Sequence, residues 1–287
     1  MYQVKNLFYF LFLLIPLFLI TGPAAPDLTI TFGVMFGLFW IFIKEQRYTL
    51  INNNIFIVSI FFWLSLIFIS VFSYDKSKSF QDSIIFLRFL LVPICCYFIF
   101  FYNNKVLKKL LMLTFILVVF VSIDSLFQFF NYTSRDGFGS DLLGFKSNWY
   151  GRLTGPFGDE LVPGSYVSKF GLIGYAYLLS SKKFKNKIII QSIYLSIILI
   201  VCFASGERMA MATFSLALFM LLLFLNNNRA TIFISICFGL FAIFLIYKFH
   251  PFYNDYEIVN SNEYHQGLQI EKTYNCSNDS KELCSKI

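Results

Sequence analysis

Apolar positions in this chain run together in blocks, and most blocks are as long as a membrane is thick. A spanning helix needs about 20 mostly apolar residues, within a range of about 17–25. Blocks of that kind fall at roughly 5–22, 28–43, 55–73, 84–102, 109–130, 164–181, 188–205, 208–225 and 230–249. They predict an all-α integral membrane protein, a polytopic bundle of about nine transmembrane helices. The second block is short and extends backward through Pro26-Asp27. The first has the parts of a signal peptide, with Lys5 as a thin basic lead and Ala24-Ala25 as a small-residue site. Its apolar run is long, however, and Pro23-Ala24-Ala25-Pro26 leads straight into another span, so a retained signal-anchor helix is expected.

The polar connections between blocks orient the bundle. Alternate connections hold Lys44 and Arg47, then Lys105, Lys108 and Lys109, then Lys182, Lys183, Lys185 and Lys187, and finally Arg229. Basic residues concentrate on the cytoplasmic side, which puts the N-terminus inside, although Lys76 and Lys78 run against the trend. Two external segments follow, at about 131–163 and from 250 onward. The expected organisation is a helical bundle over 1–249 that includes the loop 131–163. Residues 250–287 are then the start of a large external loop.

Composition agrees with this class. The chain is 57% hydrophobic and 14% charged, where a soluble domain carries about 25% charged residues. The net charge of +7 comes from lysines in short connections and not from a basic face interleaved with aromatics, so no nucleic-acid partner is expected. Cys95, Cys96, Cys202 and Cys237 lie inside blocks and read as small packing residues. Cys276 and Cys284 lie in the external tail, where a local disulfide is an even alternative to two free thiols. His250 and His265 are the only histidines, and no pair of cysteines has zinc spacing. Neither a metal nor a cofactor is expected.

The chemistry must then come from the few polar residues at the block edges. An ionised side chain costs about 2.5–3.5 kcal/mol at the centre of a spanning helix and less toward the interface, so such residues pair, line wet cavities or bind something anionic. Arg152 stands in Arg152-Leu153-Thr154-Gly155-Pro156-Phe157-Gly158-Asp159-Glu160, and Arg208 in Ser205-Gly206-Glu207-Arg208-Met209-Ala210. Both fall on the external side, as one shared site requires. A tight turn at a helix start favours anions, and an arginine adds a bidentate donor. The competing reading of Arg208 is an interfacial anchor. Glu207 either orients Arg208 or acts as a base. Asp159 and Glu160 offer carboxylates for hydroxyl binding or proton transfer, and Trp149 and Tyr150 suit an interface or a sugar face. Asp124 and Gln128 share one face of the fifth block. Arg88, one turn inside the fourth, is expected to pair with Asp124, either as a structural ion pair or as part of the site.

On these stretches (Asp124 to Gln128-Phe129, Arg152 to Glu160, and Ser205 to Ala210) the chain resembles the O-antigen polymerase and O-antigen ligase superfamily of bacterial polysaccharide assembly. The likeness covers about 80–250. It implies a helical bundle of the bacterial inner membrane with a large periplasmic loop, and metal-independent glycosyl transfer from a glycan linked through diphosphate to undecaprenol. In a polymerase the acceptor is another lipid-linked repeat unit; in a ligase it is lipid A–core. Polymerase is the preferred reading, and a transporter or a non-catalytic assembly protein are the rivals from other classes. By resemblance Arg152 and Arg208 hold the diphosphate, Glu160 and Glu207 serve as base or sugar ligand, and Asp124, Gln128 and Asp159 contact substrate. A chain-length regulator or a flippase is the kind of partner implied. The family's loop carries a His-Asn motif followed by further spans. Here His265 is followed by Gln266-Gly267, so the chain is expected to be an N-terminal portion that is inactive alone.

Overall fold

A computed structural model describes residues 2–22, 24–43, 53–102, 104–133, 137–147, 149, 151–181 and 186–253. Among these residues the α-helices are α1 (Tyr2–Phe18), α2 (Ala24–Ile43), α3 (Asn54–Ser70), α4 (Lys76–Tyr102), α5 (Asn104–Phe130), α6 (Pro163–Ser180), α7 (Lys187–Ala204), α8 (Arg208–Phe224) and α9 (Arg229–Phe249). The apolar blocks take helical form because a helix satisfies every backbone N–H and C=O within one segment, as hydrocarbon demands. Polar residues set the boundaries. Asn53 caps α3 by accepting from the Ile55 N–H at 2.9 Å, and Pro163 opens α6, where a missing N–H costs nothing. Four stretches are long and apolar enough to cross a membrane: Lys76–Tyr97, Lys105–Phe130, Lys187–Ala204 and Asn226–Phe249. Tyr9–Phe18, Ala24–Phe39, Asn54–Ser70 and Arg208–Phe224 are shorter apolar helices. The expectation of an all-α membrane protein therefore stands, with crossing supported for four helices by length and composition.

The chain forms two compact units. The first takes Met1–Val121 and Lys169–Lys187. In it α1 packs on α2, and α4 packs on both α2 and α3. Val34, Ile41, Leu91 and Ile94 form one buried cluster, and Tyr9, Phe12 and Cys95 another. The Trp63 indole N–H donates to the Ser83 carbonyl at 3.0 Å and ties α3 to α4.

Arg88 belongs to this unit, and its partner corrects the sequence reading. The guanidinium donates to Asp27 Oδ2 at 2.8 Å and to Thr31 Oγ1 at 2.9 Å. Asp124 instead accepts from the Leu142 N–H at 2.9 Å. The reason lies in where α2 begins. Because the helix starts at Ala24, Asp27 falls in its first turn, where a carboxylate is favoured, and Thr31 sits one turn on along the same face. With Arg88 22% and Asp27 53% exposed, water screens this pair. A double-mutant cycle of Arg88→Leu with Asp27→Asn should give a coupling of only about 0.5–1 kcal/mol in detergent unfolding. A coupling near the 3–5 kcal/mol typical of breaking a buried pair would contradict this.

The second unit takes Ser122–Ser168 and everything from Ile188. It holds the last turns of α5, the segment between α5 and α6, the start of α6, and α7 to α9. Ser192 Oγ donates to the Thr231 carbonyl at 3.1 Å and Ser196 Oγ to the Ser235 carbonyl at 2.9 Å. Both partners advance by four residues, so α7 and α9 run parallel. One turn further along, Leu199 fills the space where a side chain at Gly239 would stand. The segment between α5 and α6 opens with a short antiparallel pair, β1 (Tyr132–Thr133) and β2 (Gly137–Phe138). Phe129, Phe138, Leu153, Ala204 and Phe252 close a core beneath it.

Candidate functional site

The segment between α5 and α6 is fastened to the end of α5 by two buried side chains. Gln128 is fully buried and uses both ends of its amide. Its Oε1 accepts from the Thr154 N–H at 3.1 Å and the Gly155 N–H at 2.9 Å, while its Nε2 donates to Thr154 Oγ1 at 3.1 Å and the Phe145 carbonyl at 3.4 Å. One turn earlier Asp124 holds Leu142, and Asp141 accepts from the Phe145 N–H at 2.7 Å. Asp124 and Gln128, expected as substrate contacts, are buried under the loop and spend their hydrogen bonds on its backbone. They position the site and do not line it.

What they position is the strand of chain that carries Arg152. The Ser147 hydroxyl donates to the Arg152 carbonyl at 2.6 Å, and the Leu153 N–H lies 3.4 Å from the Ser205 carbonyl. The second contact brings residues 151–153 against the turn between α7 and α8. Gly206 forms that turn at φ +73, and a Cβ there would overlap the Gly151 carbonyl oxygen. Only glycine permits both the conformation and the close approach. The result is that Arg152 and Arg208, more than fifty positions apart in sequence, line one open pocket of about 1420 Å³.

The pocket lining combines two arginines with mostly apolar side chains. Both arginines are exposed. Arg208 is the first residue of α8, so the free N–H groups of that helix start add to the positive field. The wall includes Met209, Met211, Tyr247, Phe252 and Tyr253. Tyr253 stacks on Phe203 at 5.6 Å, and Phe252 packs on Phe138 at 5.0 Å. Burial pushes the Tyr253 phenol above its ordinary pKa, helped by the nearby Tyr247, so it remains a neutral hydroxyl.

The carboxylates separate by role. Glu207 belongs to the pocket lining but is only 8% exposed, with its carboxylate bonded to the start of α6. Its Oε1 accepts from the Gly164 N–H at 2.8 Å and the Ser165 N–H at 3.2 Å, and its Oε2 accepts from the Ser165 N–H at 3.1 Å and the Ser165 hydroxyl at 2.5 Å. It caps the start of α6 with a full negative charge, a favoured placement at a helix N-terminus. Gly164 has no room for a Cβ between Ser205 Oγ and Glu207. Both carboxylate oxygens of Glu207 are thus already engaged by Gly164 and Ser165. Asp159 and Glu160 are exposed beyond the short 3₁₀ turn Gly155–Phe157, outside the pocket lining.

His250 is the residue that sequence reading passed over. It ends α9, 7% exposed, with its ring 4.1 Å from Phe129 in a stack. Its Nε2 lies 3.1 Å from the Phe129 carbonyl, and its Nδ1 accepts from the Phe252 N–H at 3.3 Å. Only the neutral ring with its proton on Nε2 satisfies both. Desolvation lowers its pKa from the usual 6.5, against a smaller raising effect of the Phe129 carbonyl. A lone histidine at the end of an apolar block carries no signal of this in the sequence, because both of its partners are backbone atoms.

Among the described residues no group of three or more His, Cys, Asp or Glu side chains is placed to hold a metal ion. Cys95 and Cys202 are buried as packing residues, whereas Cys237 is exposed on α9. Tyr150, His265, Cys276 and Cys284 lie outside the described residues. The chain matches no protein-family model, no curated protein and no solved structure, so its function has to be read from this geometry.

Proposed function

We propose that the Arg152–Arg208 pocket binds the diphosphate of a lipid-linked oligosaccharide. In this reading the protein polymerises undecaprenyl-diphosphate-linked repeat units at the periplasmic face of the bacterial inner membrane, with its N-terminus in the cytoplasm. The observation that carries the proposal is the pocket itself: two planar cations in one lining, suited to a bidentate grip on phosphate oxygens, and methionine and tyrosine side chains suited to a prenyl chain or a sugar face.

In the transfer, a hydroxyl of the acceptor sugar attacks the anomeric carbon of the donor. The bond from that carbon to the diphosphate oxygen breaks, and undecaprenyl diphosphate leaves with the bonding pair. The arginines stabilise the charge that grows on the leaving oxygens, without a metal. The acceptor proton goes to a carboxylate. Of the two sequence candidates for that role, Glu207 lies in the pocket lining but is engaged at the α6 start, and Glu160 is free of such bonds among the described residues but lies outside the lining.

The test is binding of a long-chain polyprenyl diphosphate to the purified full chain in detergent. Arg152→Ala and Arg208→Ala should each weaken it by about tenfold to a hundredfold, and Lys at either position should restore part of the loss. Binding should also fall as salt rises. Unchanged affinity in both alanine variants would remove the proposal, and loss of Arg208→Ala protein from the membrane would favour the anchor role instead.

A further inference from the structure

The pocket's aromatic wall hangs from a single imidazole. Phe252 and Tyr253 occupy the helical turn that follows α9, and both line the pocket. The turn is held at its start by His250. The ring's Nδ1 takes the Phe252 N–H, and its Nε2–H reaches across to the Phe129 carbonyl at the end of α5. Phe252 in turn presses on Gly151, where a Cβ would come within 3.3 Å of its ring. Gly151 precedes Arg152 and supplies the carbonyl against which Gly206 is seated. The chain of contacts from His250 to Arg152 is therefore short: ring, Phe252, Gly151, arginine.

We propose that His250 is a positioning residue for the Arg152–Arg208 pocket, that it does this only as the neutral Nε2–H imidazole, and that its protonation loosens the wall and weakens ligand binding. The inference rests on the diphosphate reading of the pocket.

Among the described residues, the groups that face the ring from the elements packed on it are Phe129 and Phe130 of α5, Tyr132 of β1, and Tyr253 of the following turn. Of these, Tyr132 and Tyr253 are the titratable ones, and Lys248 on its own helix lies over Phe249. None of these contacts sets a carboxylate against an imidazolium. A proton added at Nδ1 would point at the Phe252 N–H, so one hydrogen bond becomes a clash of two donors. The sign of the effect follows from the lowered pKa. The favourable contribution is complete above the ordinary value of 6.5 and is lost as pH falls through the lower value of the folded protein.

The experiment follows affinity for a long-chain polyprenyl diphosphate between pH 5 and pH 8 in the full chain. It compares the unsubstituted protein with His250→Asn, His250→Gln and His250→Phe. Asn places an oxygen where Nδ1 stands and can accept from the N–H two residues on, as Asx turns do. Gln reaches toward the Phe129 carbonyl but offers Phe252 nothing. Phe keeps only the stacking. Protonation of the ligand adds a shallow slope common to all four proteins. Beyond it, the unsubstituted protein should lose about tenfold in affinity toward pH 5, as expected for one lost hydrogen bond. The Asn variant should bind well with only the common slope. Gln and Phe should bind about tenfold more weakly at every pH, again with only that slope.

A pH profile in His250→Asn that matches the unsubstituted protein would overturn the proposal. So would full affinity in His250→Phe at pH 7.5. If the arginine variants of the preceding test bind normally, the diphosphate reading falls by itself. The pH dependence of the ligand-free thermal midpoint, present with His250 and absent with Asn, then still reports whether the neutral imidazole holds the wall.

Discussion

Glu207→Ala should cost the folded protein about 3 kcal/mol and should weaken the pocket at the same time. The carboxylate is almost fully buried, and it satisfies two backbone N–H groups and one hydroxyl at the start of α6. Truncation leaves those donors without acceptors in a dry place. It also removes a negative charge from the positive end of a helix, which contributes about another 0.3–1 kcal/mol. Glu207→Gln should fall between, because its oxygen still accepts while its amide nitrogen turns a donor toward donors. Thermal unfolding in detergent, with limited proteolysis near residue 164, would measure both. The comparison also decides what Glu207 is for. If the Gln variant keeps its stability and its ligand affinity but loses all sugar transfer, the residue is a base and the cap is incidental.

Gln128→Leu should be comparably damaging, at about 2–4 kcal/mol, since the Thr154 and Gly155 N–H groups would be buried and unpaired. The more informative substitution is Gln128→Glu. It keeps an acceptor for those two N–H groups, but its second oxygen would face the Phe145 carbonyl, where the amide now donates. It would also place a second acidic side chain one turn from Asp124 on the same helix face. Glutamate should therefore be no better than leucine. The predicted readout is faster amide exchange over 142–155 in both variants, with the helices unchanged. Slow exchange in the Glu variant would mean that the loop is held by something other than this amide.

Much of the helical layout is legible in the chain because hydrocarbon leaves the backbone few alternatives. The block at 208–225 is the helix Arg208–Phe224, and the block at 188–205 is Lys187–Ala204. The departures have local causes. The block at 84–102 gives only the apolar part of α4, which begins at Lys76, roughly two turns earlier. Asp75 accepts from the Lys78 N–H at 3.1 Å and starts the helix inside a polar stretch that a hydropathy reading passes over.

The two arginines were legible as chemistry, since a guanidinium at the edge of an apolar block has to be accounted for. The partners were not. Asp124, Gln128, Glu207 and His250 each bond to a backbone N–H or carbonyl, and every residue except proline supplies the first and all supply the second. No pattern of side chains marks which backbone atom a buried polar group will find. Arg88 shows the same limit with a side-chain partner. Asp124 and Asp27 were both at hand, and the choice was made by where α2 starts and which helix it packs against.

The serine contacts between α7 and α9 have a consequence for how the pocket wall can move. Two parallel rods that touch once per turn behave like a toothed rack, which can advance only by a whole pitch of about 5.4 Å. The hydroxyls alone would tolerate such a step, because Ser192 would simply meet the Ser235 carbonyl in place of Thr231. Leu199 would not. It would leave the hollow at Gly239 and strike Ile243, a branched side chain with no such hollow. A step in that direction is therefore blocked by shape more than by polarity. Tyr247, about two turns beyond Gly239 on α9, is carried by a rod that cannot take that step along α7. A ligand that drew the wall in that direction would have to bend the end of α9 instead of sliding it.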